Sequence, residues 1–94
     1  MSKVYLFVAI DVKPGKTSIF LEKIAKHGSH IRTEEGCEAL EIFTDTNNPN
    51  QVCVWEVWTN RQIWDAHMIN DASAALIFAC VPVKLTLVNP VQLE

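Results

Sequence analysis

The sequence predicts an α+β fold, one antiparallel sheet with its helices on one face, in the order β-α-β-β-α-β. Three observations predict it. Runs rich in β-branched and aromatic residues, each short enough for a strand, lie at Val4–Val12, Gln51–Thr59 and Val83–Val88. Segments with apolar residues at helical spacing lie between them. A dense turn cluster, Asp45-Thr46-Asn47-Asn48-Pro49-Asn50, joins the second and third strands most simply as a hairpin. This order is the ferredoxin-like arrangement, here a single domain over residues 1–94.

The run Gln51–Thr59 sets the terms for the rest. Alternation places Val52, Val54, Glu56 and Trp58 on one face, and Cys53, Trp55 and Val57 on the other. Strand 1 behaves in the same way: Val4, Leu6, Val8, Ile10 and Val12 form an aliphatic face, with Tyr5, Phe7, Ala9 and Asp11 opposite. Both sheet faces are thus largely apolar. Two or three short helices in a 94-residue chain can blanket only one of them. The other face is expected to meet a second copy, with Trp55, Val57, Phe7 and Tyr5 at a homodimer interface.

After strand 1, Lys13-Pro14-Gly15 breaks the ladder. A helix follows over roughly Lys16–Thr33, where Phe20, Ile24, His27 and Ile31 share a face widened by Leu21 and Ala25. Gly28 inside it costs about 1 kcal/mol against Ala, which points to a kink or a close contact. Glu34-Glu35-Gly36-Cys37 turns into strand 2, about Glu38–Thr44. Thr59-Asn60-Arg61-Gln62 fits a capping box with Thr59 as N-cap. The short helix after it, to about Met68, carries Ile63, Trp64, His67 and Met68 at core-like spacing. A second helix is expected over Ala72–Cys80, stopped by Pro82. The tail Asn89–Glu94 reads as an arm that can reach a partner.

Composition excludes several classes. A chain 49% hydrophobic and 20% charged is globular, and a net charge of −3 with scattered Lys and Arg argues against nucleic acid. The sheet also lacks the basic, aromatic-studded strand pair that stacks bases. Cys37, Cys53 and Cys80 are odd in number and far apart, which predicts reduced thiols and a cytoplasmic protein. The N-terminal apolar run is too short and polar for a signal peptide or membrane span. No metal is expected: His27 and His30 lie three apart on a helix but lack further ligands.

The candidate chemistry centres on Glu56. A carboxylate between Val54 and Trp58 is costly unless paired or protonated, and a raised pKa would let it take a phenolic proton. The structural alternative is an acid bonded to a backbone amide or a neighbouring Arg. His67 is the second candidate, as a proton shuttle near neutral pH or as a histidine that ties its helix to Glu56. Trp58 and Trp64 are expected to stack on a flat ligand or to fill the core. Glu34 and Glu35 read as a charged turn, not as an acid/base pair.

Four segments in register, Val12-Lys13-Pro14-Gly15, Glu34-Glu35-Gly36-Cys37, Trp55-Glu56-Val57-Trp58 and Ala66-His67, resemble the antibiotic biosynthesis monooxygenase family. The resemblance covers nearly the whole chain. It implies a dimeric α/β barrel made by two sheets packed face to face, and a cofactor-independent monooxygenase acting on small quinol-like or polycyclic phenols. It implies Glu56 and His67 as catalytic residues, with Trp58, Val8, Ile63, Trp64 and Ile77 lining the substrate. The heme-degrading branch carries an Asn on strand 1 and a His on the last helix; Val8 and about Ile77 stand there, so heme degradation is not expected. Asn70-Asp71-Ala72-Ser73 departs from the family where His-Phe often follows, which predicts a smaller site. Two rival readings share the pocket: an isomerase or tautomerase of a small metabolite, and a non-catalytic ligand-binding dimer.

Overall fold

The computed structural model describes residues 2–70 and 83–91. The elements are β1 (Val4–Asp11), α1 (Thr17–Ile31), β2 (Cys37–Asp45), β3 (Asn48–Trp58), α2 (Arg61–Asn70) and β4 (Val83–Val88). They build a four-stranded sheet of order β2-β3-β1-β4 in which every neighbouring pair is antiparallel. The predicted α+β fold is therefore the observed one. The helix expected over Ala72–Cys80, with Ile77 and Cys80, lies outside the described residues.

Strand register assigns the two faces. Val4 pairs with Trp58, Leu6 with Glu56, Val8 with Val54 and Ile10 with Val52, so these side chains share the face beneath α1. Leu6, Val8, Ile10, Val12, Val52, Val54 and Trp58 are buried there with Ile24 and Ile31 of α1. Each such aliphatic side chain taken from water contributes about 1.5–3 kcal/mol, so this face holds the sheet and helix together. On the opposite face Phe7 pairs with Trp55, Tyr5 with Val57 and Phe43 with Cys53. The Tyr5 and Trp55 rings lie 6.0 Å apart, while Phe7 and Phe43 remain 39% and 50% exposed. That face is apolar, and no element of the described chain covers it.

Gly28 explains itself at the contact of α1 with β2. A Cβ there would stand 3.0 Å from Leu40 Cδ2 and 3.2 Å from Ile42 Cδ1. The helix approaches the sheet at the one position without a side chain, and the close contact, not a kink, is the reason for the glycine.

Local boundaries differ from the expectations at three places. The β2–β3 connection is a two-residue hairpin, with Asp45 paired to Asn48 and the Asn47 amide donating to Asp45 Oδ1 at 2.8 Å. Within the predicted turn cluster Asp45 and Asn48 are thus paired, and the β2–β3 register shifts between Thr44 and Asp45. The cap of α2 is Asn60, not Thr59: the Ile63 amide donates to Asn60 Oδ1 at 2.9 Å. Thr59 instead sends its amide (2.9 Å) and hydroxyl (3.3 Å) to the Gly36 carbonyl, tying the end of β3 to the turn before β2. Helix α1 is shorter than predicted by a residue or two at each end, as fraying ends allow.

Candidate functional site

Between the inner sheet face and the helices lies an apolar cleft of about 600 Å³ including its open mouth. Aliphatic side chains make most of its wall: Val8 and Leu6 from β1, Leu40 and Ile42 from β2, Leu85 from β4. Three polar side chains break that wall, Glu56 from β3, His67 from α2 and His27 from α1. Alternation along β3 alone brings the carboxylate inward, and its cross-strand partners are Leu6 and Leu40. A charge set among aliphatic neighbours is worth keeping only if polar groups hold it.

Trp58 supplies one such group. Its indole Nε1 donates to Glu56 Oε1 at 3.0 Å, two residues along the same strand face. The Trp58 side chain is fully buried, and the His67 ring stacks on it with centroids 4.5 Å apart and planes 28° apart. His67 is itself only 7% exposed, and its Nδ1 lies 3.0 Å from Glu34 Oε1. A continuous sequence of contacts thus runs Glu56–Trp58–His67–Glu34 from β3 through α2 to the turn after α1. Glu34 is held by that turn, where its amide donates to the Ile31 carbonyl and its carbonyl accepts from the Cys37 amide. Gly36, at φ +90°, closes the turn against Ile63.

A second, more open recess lies on the outer side of the indole, lined by Glu34, Glu35, Trp58, Ile63, Ala66 and His67. Among the described residues, His67 is the one side chain that belongs to both walls. The field of the acids is felt nearby: burial, then the charges of Glu56 and Glu34, push the Cys37 thiol up, with Arg32 pulling the other way.

The predicted site residues therefore separate. Glu56, His67 and Val8 line the cleft, whereas Trp58 and Ile63 line the outer recess. Trp64 lines neither space. It is buried with Arg61 stacked 4.9 Å over its ring, and its Nε1 has no hydrogen-bond partner among the described residues. Ile77 lies outside the described residues. Trp55, Val57, Phe7 and Tyr5 all sit on the uncovered face. Sequence reasoning missed two polar members, Glu34 and His27. The spacing of His27 on the apolar stripe of α1 is the available signal for one; Glu34 reads locally only as part of a charged turn, because its contact joins residues 33 positions apart.

Solved structures share this fold over nearly their whole length. SnoaB, described as a cofactor-independent oxygenase from Streptomyces nogalater, superposes with a TM-score of 0.84 at 14% identity, covering 99% of this chain and 97% of that one. A conserved protein of unknown function from Bacteroides thetaiotaomicron gives 0.83 at 21% identity, over 93% and 96%. A protein described as an antibiotic biosynthesis monooxygenase gives 0.82 at 22% identity, over 95% and 99%. At these identities the likeness shows the fold alone. No curated protein matches the sequence. The sequence model of one family, however, spans residues 3–77, and with it the strand that carries Glu56 and the helix that carries His67: the chain belongs to the antibiotic biosynthesis monooxygenase family.

Proposed function

We propose that the protein is a homodimeric, cofactor-independent monooxygenase of a small quinol-like or polycyclic phenolic compound. The observation that carries this reading is the acid–indole pair, Glu56 held by Trp58 Nε1 at 3.0 Å, set in an otherwise aliphatic cleft beside His67. Such a cleft takes a flat apolar compound out of water and leaves a carboxylate and an imidazole to meet its hydroxyl. Removal of that proton makes the ring electron-rich enough to reduce dioxygen itself. The protein's share is then binding, desolvation and proton transfer.

The homodimer is proposed on the uncovered face, where Tyr5, Phe7, Trp55 and Val57 would meet their counterparts. Monooxygenase chemistry is supported by the family and by the oxygenase among the structural neighbours. Free Cys37 and Cys53 thiols fit the reducing cytoplasm, and no helix among the described residues is long and apolar enough to cross a membrane.

Oxygen uptake with a panel of hydroquinones and anthrone-like phenols tests the reading. Wild type should consume dioxygen with substrate, and Glu56→Gln or His67→Ala should lower the rate by roughly 10²-fold or more. Rates unchanged in both variants would remove the assigned roles. Turnover that persists without dioxygen would mean an isomerase.

A further inference from the structure

We propose that Glu34 is a positioning residue that fixes the His67 tautomer, so that Nε2 is the nitrogen that takes the substrate's proton; the role rests on the proposed function above. The geometry is specific. His67 is wall to both spaces, Glu34 lines only the outer one, and the 3.0 Å contact is made at Nδ1. An ionised carboxylate can only accept a hydrogen bond. The contact therefore places the neutral imidazole's proton on Nδ1 and makes Nε2 the basic nitrogen. The Trp58 ring, stacked at 4.5 Å, holds the imidazole plane so that it does not swing between the two spaces.

The step balances without any other reactant. The substrate O–H bond breaks and its proton bonds to Nε2, giving an imidazolium whose charge faces Glu34. The Nε2–H bond breaks when that proton returns in the cleft to the substrate-derived oxyanion, while the Nδ1–H held by Glu34 stays in place, so the starting tautomer is restored. No electron is transferred at the pair. Among the described residues, the other titratable groups that line these spaces with His67 are Glu35 in the recess, with Glu56 and His27 in the cleft. Glu56 is bonded to the indole and Glu34 to the imidazole, so each ring of the Trp58–His67 stack meets one acid.

Ring-nitrogen NMR on 15N-histidine-labelled protein tests this, at about pH 8, above the ordinary imidazole range. His67 in the wild type should show a protonated Nδ1 and a bare Nε2, the minority tautomer of a free imidazole. In Glu34→Gln that preference should weaken, and in Glu34→Ala the signal should move to the Nε2–H form. Formate added to Glu34→Ala should restore the Nδ1–H signature, because the open recess admits a small carboxylate. A wild-type Nε2–H signal, an unmoved signal in Glu34→Ala, or formate without effect would each overturn the proposal. With an active quinol, Glu34→Gln should lower kcat about tenfold or more with KM held; an unchanged kcat would overturn the positioning role. If no compound is turned over by any form, the proposed function fails, and the nitrogen signature still decides the pair.

Discussion

Trp58 holds more of the site together than any other side chain. It fills the core, donates to Glu56 and supports the His67 ring, three tasks on one indole. Trp58→Phe keeps an aromatic ring but removes the donor and part of the volume. A loss of about 2–4 kcal/mol is expected in denaturant unfolding, combining a broken charge-assisted hydrogen bond with a cavity. A loss below about 0.5 kcal/mol would show that the indole donor does not matter to the fold. Glu56 was legible from the sequence because period-two alternation is a local rule. Its polar company was only half legible: Trp58 follows from the same rule, whereas Glu34 sits in a turn that the sequence marks without marking its contact with His67, 33 positions away.

At the scale of elements, the ends matter more than the middles. The first turn of α2 is closed by Asn60 Oδ1, so Asn60→Ala should cost about 1 kcal/mol of stability in chemical denaturation. Thr59→Ala keeps that cap, and its hydroxyl bond to the Gly36 carbonyl is exposed, so it should cost less. The reverse order would restore Thr59 as the cap that the sequence pattern favours. Gly36 offers a second test. Gly15 and Gly36 share a positive φ, +82° and +90°, so alanine strains both backbones alike, by about 1–3 kcal/mol. At Gly15 nothing stands within 4 Å, but at Gly36 the new Cβ would fall 2.5 Å from Ile63 Cγ2. Gly36→Ala should therefore lower Tm more than Gly15→Ala, and Ile63→Ala should recover the difference. Equal effects would mean that α2 does not press on this turn.

For the whole molecule the deciding feature is the uncovered sheet face. A sheet can hide one face beneath its own helices; the second, with Phe7, Phe43 and Trp55, must find cover elsewhere or lie wet. Trp55→Lys at the centre of that face should shift the native mass from that of the proposed dimer to that of a monomer while leaving the circular dichroism unchanged. A wild-type protein that is monomeric at micromolar concentration would remove the dimer. The sequence by itself determined the strand faces, the sheet-and-helix class and the inward acid, because alternation and helical periodicity are set by neighbours along the chain. Tertiary structure alone decided the hairpin length, the identity of the α2 cap and the partnership of His67 with Glu34. Each of those depends on which distant segments the closed sheet brings together, and a residue's nearest neighbours in sequence carry no record of that.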